Sequence, residues 1–219
     1  MSFFEPPKLI EADVFASVPD RLRKGGAPSS WIDANHPGTK LDCFLEGPAF
    51  DREGNLYMVD IPYGRILRMS PKGEFSVAAE YDGWPNGIAI HSDGSIYIAD
   101  YRRGILRLDP KTGKVEDFLT HSQSEGFKGV NDLTFARNGD LYFTDQGQTG
   151  IHDPTGRVYR HSTAGRLDCL INNGPSPNGI VLDPLDKVLY VAMTRANCMW
   201  HCPLKGGSSS GPFSTVDMI

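Results

Sequence analysis

Four residues with side-chain oxygen atoms recur at one position of a repeated sequence pattern: Glu46, Asn86, Asn131 and Asn178. They are 40, 45 and 47 residues apart. One carboxylate and three amide oxygens form an oxygen-only donor set of the kind that calcium takes, with water or substrate completing its roughly 6 to 8 ligands. If the fold brings the four together, we expect a divalent metal ion, most simply calcium, with magnesium, manganese or zinc as substitutes.

Such an ion would have a chemical use. Glu46 cancels only one of its two charges, so the ion would remain a Lewis acid able to polarise a carbonyl group or to acidify a bound water. The alternative is that these residues satisfy the backbone of turns at the starts of strands, as Asn often does.

The segments that follow the four residues predict the elements that position them: EGPAFDREGNLYMVD, NGIAIHSDGSIYIAD, NDLTFARNGDLYFTD and NGIVLDPLDKVLYVAM. Apolar residues alternate with a period of two, and turn pairs such as Asp93-Gly94 and Asn138-Gly139 separate the runs, which indicates β-hairpins. Strands repeated at this interval are typical of β-propeller blades. We therefore predict an all-β fold, a β-propeller. The first strand of each blade would line the central channel, so the four residues would meet at its mouth.

The repeats also predict the extent of each part. Residues 1–40 are expected to form one strand, at 12–18, and an irregular lead-in. Residues 41–205 are expected to form four blades, at about 45–82, 85–120, 129–171 and 176–205. The last part, 206–219, contains GGSSSG and breaks the pattern, so we expect a disordered or aberrant tail.

Other polar residues have weaker patterns. Asp60, Asp100 and Asp145 end the second strand of three repeats, where we expect them to cap turns. Asp132 and His152 are candidates for substrate contact, as is Asn86. His152 lies in an excursion after Asp145 that is longer than its counterparts, which predicts either a pocket wall or a surface insertion.

Cys198, His201 and Cys202 suggest a zinc site by spacing alone. On a strand, however, residues four apart are roughly 13 Å from each other, so we predict no zinc site there.

The composition argues against several classes of partner. The chain has 219 residues with 22 Lys and Arg against 27 Asp and Glu, a net charge of -5, and no long basic cluster, so we expect no nucleic-acid binding. No apolar run approaches the roughly 18 residues of a membrane span. The first residues carry acids where a signal peptide would be apolar. We expect a cytoplasmic protein that does not bind membranes.

The chain resembles the gluconolactonase/regucalcin (senescence marker protein) family of six-bladed propellers. The resemblance is sharpest in FLEGPAFDREGNLYMVDIPYGRI, EGFKGVNDLTFARNGDLYFTDQGQTGIHDPTGRVYR and PSPNGIVLD. It implies a propeller of the six-bladed type with about four blades present in this chain. It also implies one divalent ion, usually calcium, at the channel mouth, and hydrolysis of small lactones there. By the same resemblance, Glu46 and Asn178 are metal ligands, and Asn131 lies near both metal and substrate.

The resemblance leaves the catalytic base unassigned. In the family, an Asp in a Pro-Asp-Gly segment of the fifth blade binds the metal and is the proposed proton acceptor and donor, and these 219 residues contain no corresponding segment. Metal-dependent lactone hydrolysis is the leading hypothesis. Two alternatives stay open: a non-catalytic propeller that binds calcium or a protein, and an inactive truncated fragment.

Overall fold

The structure, a computed structural model, describes residues 8–204 and the backbone of residues 217 and 218. Four antiparallel sheets of four strands follow one another, and in each the strands pair in chain order. Blade one contains β1 Leu45–Phe50, β2 Leu56–Asp60, β3 Arg65–Met69 and β4 Phe75–Glu80; blade two contains β5 Pro85–Ile90, β6 Ile96–Asp100, β7 Gly104–Leu108 and β8 Val115–Leu119. A hairpin follows, of β9 His121–Ser122 and β10 Glu125–Gly126. Blade three contains β11 Val130–Phe135, β12 Leu141–Asp145, β13 Gly156–His161 and β14 Leu167–Gly174; blade four contains β15 Pro177–Leu182, β16 Val188–Met193, β17 Cys198–Pro203 and β18 Asp217–Met218.

The inner strands pack against one another from blade to blade, β1 against β5, β5 against β11, and β11 against β15. The predicted all-β propeller architecture is therefore confirmed. Among the described strands this packing joins consecutive blades and does not join β15 to β1 in the same way, so the four blades form an arc. Apolar side chains fill the space between neighbouring sheets, with Ile98, Phe143 and Val191 fully buried in successive interfaces.

The predicted strand at residues 12–18 is wrong. Residues 8–19 have no regular secondary structure, and Val14 and Phe15 are 84% and 71% exposed. The alternation of residue types was right for a strand, but a strand also needs a neighbour for its backbone N–H and C=O groups, and within the described residues this segment has none. From residue 8 to blade one, the regular structure consists of a 3₁₀ turn at Asp20–Leu22 and a short helix, α1, at Ser30–Asn35.

The tail predicted at 206–219 falls mostly outside the described residues. Asp217 and Met218 depart from that prediction, because their backbone pairs with Trp200 and His201 of β17 and forms the outermost strand of blade four. This places Asp217 at the opposite edge of the sheet from β15.

In blades one to three, a buried aspartate forms hydrogen bonds to the backbone at the entrance of the inner strand. Asp60, Asp100 and Asp145 are fully buried at the end of the second strand. Oδ1 of Asp60 accepts the N–H of Phe44, just before β1, and Oδ1 of Asp145 accepts the N–H of Gly129, just before β11. Asp100 accepts the N–H groups of Arg102 and Arg103 in the turn that follows it, and a backbone hydrogen bond from Trp84, just before β5, also acts to lower its pKa. All three therefore bond to backbone N–H groups at turns or strand entrances.

Burial makes these carboxyls sensitive to pH in an unusual direction. Burial raises the pKa of Asp145, while the N–H of Gly129 and the charge of Arg157 oppose the increase. Its Oδ2 has no hydrogen-bond partner within the described residues. The folded protein thus holds this proton more tightly than the unfolded chain does, and the free energy of unfolding falls as pH rises from about 4 through the raised pKa.

We therefore predict that Asp145→Asn becomes more stable relative to the wild type as pH rises across that window, because Asn does not titrate. Urea unfolding at several pH values from 4 to 7 measures this difference. Asp109→Asn is the matched control: the pKa of exposed Asp109 is lowered by the backbone N–H of Lys111, so its difference should stay nearly constant from pH 4 to 7 and change, with the opposite sign, only below about pH 4. A pH-independent difference for Asp145→Asn would contradict the prediction.

Candidate functional site

The four recurring residues are each the second residue of an inner strand. Glu46 lies on β1, Asn86 on β5, Asn131 on β11 and Asn178 on β15. In every blade the pairing between the first and second strands shifts at or directly after this position. The shift lies between Glu46 and Ala49 in blade one, and it spans the recurring residue in the others, at 85–88, 130–133 and 177–180. A β-bulge of this kind re-aims side chains away from the regular ladder. The same irregularity thus occurs in all four blades at one end of the inner strands.

The residue that follows is glycine in three blades, at Gly47, Gly87 and Gly179, and Asp132 in the third. A Cβ on Gly87 would lie 2.5 Å from Oδ1 of Asp132, and a Cβ on Gly179 would lie 3.8 Å from Oδ2. The carboxylate of Asp132 therefore occupies the space that a side chain at Gly87 of β5 would need, and it lies beside Gly179 of β15.

Backbone groups hold this carboxylate in place. Oδ1 of Asp132 accepts the N–H of Leu133 at 2.8 Å, and Oδ2 accepts the N–H of Ile180, from the next blade, at 2.9 Å. The hydroxyl of Thr144 accepts the N–H of Asp132 and donates to the carbonyl oxygen of Asn178 at 2.7 Å. These bonds connect the inner strands of blades three and four at the level of the recurring residues.

The electrostatics connect blade one to the same cluster. Burial raises the pKa of Asp132, and the carboxylate of Glu46 adds to the increase, while the N–H groups of Ile180 and Leu133 oppose it. Within the part of the chain that the structure describes, the exposed carboxylate of Glu46 forms no hydrogen bond or ion pair. Two carboxylates thus act on one another at the mouth, an arrangement that a cation would stabilise.

The amide of Asn131 is already engaged at one end. Its Nδ2 donates to Oε1 of Gln146 at 3.0 Å, and Nε2 of Gln146 donates to Oγ of Ser176 at 2.9 Å. Because the amide nitrogen is used, Oδ1 is the atom of Asn131 that remains for a ligand. The side chains of Asn86 and Asn178 form no hydrogen bonds within residues 8–204 and are half-buried.

The residues present fit a hard divalent ion by the chemistry of their donor atoms. Two carboxylates and amide oxygens make a set without nitrogen or sulfur donors, which suits calcium or magnesium better than zinc. The described residues contain no group of three or more His, Cys, Asp and Glu placed to bind a metal, so amide oxygens would have to supply the other protein ligands.

A segment that we call the strap, residues 146–155, follows β12 and is tied to three blades. Nε2 of Gln148 donates to the hydroxyl of Tyr101 in the turn after β6, and Arg195 of blade four donates to the carbonyl oxygen of Thr149 at 2.7 Å. Lys128 donates to Oγ1 of Thr155. His152 lies at an exposed turn of the strap, and among the described residues it forms no hydrogen bond to the inner strands. Of the predicted site residues, His152 is therefore the one that no contact links to the cluster.

Sequence reasoning missed three residues of this site: Thr144, Gln146 and Ser176. Two of them had a signal. Thr144 and Gln146 occupy positions that carry Val59 and Ile61 in blade one and Ala99 and Tyr101 in blade two. A polar residue in place of an apolar one within a repeat marks a position where one blade differs. Ser176 had no such signal, since its role depends on contact with another blade.

A large groove lies elsewhere. A groove of about 1180 Å³ lies between blades one and two at the other end of the inner strands, beside Asp51 and His91. Two of its arginines are engaged by neighbouring side chains, Arg68 with Asn55 and Arg107 with Ser95. We therefore place the candidate site at the end that carries the recurring residues.

No helix within the described residues has the length and apolar character needed to cross a membrane.

Comparison with known proteins gives a consistent set of matches. Residues 44–218 match the family model described as "SMP-30/Gluconolactonase/LRE-like region". A gluconolactonase from Zymomonas mobilis is 29% identical over 170 residues, which is 67% of this chain and 48% of that protein. Lactonase drp35 from Staphylococcus epidermidis is 27% identical over 195 residues, 85% of this chain and 58% of that protein. The chain thus spans about half to three fifths of the length of these relatives.

Solved structures share the fold. A gluconolactonase from Xanthomonas campestris superimposes with a TM-score of 0.71 at 23% identity, covering 80% of this chain and 62% of that one. Regucalcin from Agrobacterium tumefaciens, described as a calcium-binding protein, gives a TM-score of 0.61 at 23% identity, covering 74% and 55%. At these identities the likeness shows the propeller fold alone.

Proposed function

Because the chain belongs to the SMP-30/gluconolactonase/LRE-like family, whose model matches residues 44–218, we propose that it takes part in metal-dependent hydrolysis of a small lactone at the channel mouth. The observation that carries the proposal is the carboxylate of Asp132, which lies against Gly87 of blade two, accepts the N–H of Ile180 of blade four and acts on Glu46 of blade one. One side chain thus relates all four recurring positions to a single cluster.

We assign the metal ion to Glu46, Asn178 and Asn131, with calcium as the preferred ion. Glu46 supplies a carboxylate that no group among the described residues neutralises, and Asn178 and Asn131 supply amide oxygens. When bound, a divalent ion supplies Lewis acidity toward the lactone carbonyl and stabilises the negative charge that develops on its oxygen.

The remaining residues would bind and orient the substrate. The side chain of Asn86 offers both a donor and an acceptor to lactone or hydroxyl oxygens. Each oxygen of Asp132 accepts one backbone N–H and retains a lone pair that can accept a hydrogen bond from a substrate hydroxyl or from water. Asn131 contacts the substrate as well as the metal. We assign no general base among the described residues.

Removal of metal tests the proposal directly. We expect calcium at millimolar concentration to raise the thermal unfolding midpoint of the chelator-treated protein, because a ligand stabilises the state that binds it. At a free calcium concentration of 100 times the Kd, binding adds about 2.7 kcal/mol to the free energy of unfolding. Hydrolysis of lactones, followed by pH change across a panel of ring sizes, should require the added ion.

Two results would change the assignment. A midpoint that does not respond to calcium, magnesium, manganese or zinc would contradict the metal site. A response to metal without turnover of any lactone would favour a non-catalytic calcium-binding propeller instead.

A further inference from the structure

Gln146 connects two of the inner strands through its side chain. It is the first residue of the strap, directly after the buried Asp145. Its Oε1 accepts Nδ2 of Asn131 at 3.0 Å, and its Nε2 donates to Oγ of Ser176 at 2.9 Å. Ser176 lies two residues before Asn178 on the chain. With the Ser176 hydroxyl accepting, a flip of either amide alone would place two donors or two acceptors against each other.

The backbone around Gln146 is held from several sides. Its N–H donates to the carbonyl oxygen of Gly129 at 2.8 Å, and its carbonyl oxygen accepts the hydroxyl of Thr149 at 2.6 Å. The N–H of Ser176 donates to the same hydroxyl oxygen of Thr149. Thr149 and Ser176 are 2% and 1% exposed. Leaving buried polar groups without hydrogen bonds is costly, so these bonds hold the backbone of Gln146, and with it the Cα from which its side chain extends, in one position.

Ser176 has a conformation that needs such hydrogen bonds. Its φ is +67°, in the left-handed region that is unfavourable for a residue with a Cβ. Its carbonyl oxygen accepts the N–H of Thr194, and its N–H and Oγ are engaged as described above. Backbone strain of this kind persists where the surroundings over-determine it. The partner of Gln146 is therefore itself held at a defined place.

We propose that Gln146 is a positioning residue that fixes the amide of Asn131 so that Oδ1 is presented to the ligand at the channel mouth. The inference rests on the proposed function, in which Asn131 contacts the metal ion and the substrate. A flipped Asn131 would offer an NH₂ group, which cannot bind a cation. Gln146 disfavours a flip of Asn131 alone, because its Oε1 accepts from the NH₂ group, and its bond to Ser176 links this orientation to the entrance of the strand that carries Asn178.

Two pairs of variants of the whole chain separate this role from a general effect on folding. Gln146→Leu removes both hydrogen bonds and keeps the approximate size. Gln146→Glu still accepts from Asn131, and the Ser176 hydroxyl can rotate to donate to its second oxygen. Gln148, in the same strap, bonds to Tyr101 and Arg195 and not to Asn131. Gln148→Leu and Gln148→Glu therefore control for packing and for the added charge.

Two readouts are needed. The first is the NMR signal of the Asn131 side-chain amide, identified by its loss in Asn131→Asp, which reports the orientation without any metal. The second is the Kd for terbium, a calcium substitute, measured by luminescence with calcium as competitor. We expect Gln146→Leu to shift the Asn131 amide signals and to weaken terbium binding by about 10- to 100-fold, the usual cost of losing a residue that orients a metal ligand. Gln146→Glu should bind within about threefold of Gln148→Glu.

Each outcome decides between the claims. Unchanged Asn131 amide signals in Gln146→Leu overturn the positioning role, as does terbium binding that weakens no more than in Gln148→Leu. Failure of Gln146→Glu to restore binding would also overturn it. If the amide signals shift but the wild type binds no terbium, the claim that Gln146 orients the Asn131 amide stands, and the metal-dependent function is overturned.

Discussion

Glu46→Gln is expected to lower kcat/KM for lactone hydrolysis by about 10²-fold or more and to abolish the stabilisation by calcium. Loss of a residue that merely orients a metal ligand costs about 10- to 100-fold, so loss of a charged ligand should cost at least as much. Gln keeps the size of the side chain and one oxygen but removes the negative charge. Because Glu46 is exposed and forms no hydrogen bond or ion pair within the described residues, and its charge repels that of Asp132, the metal-free variant should unfold at the same temperature as the wild type or slightly above it.

Steady-state kinetics and thermal unfolding with and without calcium measure the two effects of Glu46→Gln. Glu74→Gln makes the same change of charge at an exposed turn of the same blade, before β4, and should behave as the wild type. Equal loss in both variants would mean that overall charge, and not the site, explains the result. Full calcium stabilisation of Glu46→Gln would remove Glu46 from the metal site.

Asp60→Ala is expected to reduce the free energy of unfolding by about 3 to 5 kcal/mol, the usual cost of removing one partner of a buried ion pair. Asp60 is fully buried, and Arg65, which is 2% exposed, donates to it through both Nε and a terminal nitrogen. The substitution leaves the guanidinium without its partner and the N–H of Phe44 without its acceptor. Urea unfolding measures the loss.

Blade two provides a matched control for Asp60→Ala. There Gly104 stands opposite Asp100, in the place that Arg65 has opposite Asp60, and Asp100 accepts the hydroxyl of Tyr81 instead of a cation. Asp100→Ala leaves no buried charge without a partner, so it should reduce the free energy of unfolding by less than Asp60→Ala does. The double variant Asp60→Leu/Arg65→Met should recover part of the loss, because it removes both charges. A double variant as unstable as Asp60→Ala would show that the charge of Arg65 is not the cause.

The repeat pattern was sufficient to predict the fold class. A period-two alternation with turns at fixed intervals specifies strands and their order locally, and each blade is built from strands adjacent in sequence. The recurring residues could be placed at one end of the inner strands for the same reason. The predicted strand at 12–18 failed because pairing depends on an edge elsewhere in the molecule, which local alternation does not report.

The contacts between blades could not be predicted in the same way. Asp132 was a candidate from its position beside Asn131. Its carboxylate, however, contacts Gly87 and accepts the N–H of Ile180 only when three blades are assembled. Gln146 likewise joins Asn131 to Ser176 across a sequence separation that no local pattern encodes. Where a repeat departs from its own consensus, as Thr144 and Gln146 do, the departure indicates such a contact without identifying the partner.

The single acid among three glycines has a consequence for how a substrate is seated. If the same residue lined the mouth in all four blades, a ligand rotated about the channel axis from one blade to the next would meet the same side chain, and a small ring could bind in several rotational orientations. Asp132 breaks that equivalence, because Gly87 has no room for a second carboxylate beside it. A lactone that binds there meets Glu46 and Asp132 at unequal places around its ring. We expect this asymmetry to distinguish mirror-image substrates, so that the two enantiomers of one chiral lactone are hydrolysed at different rates.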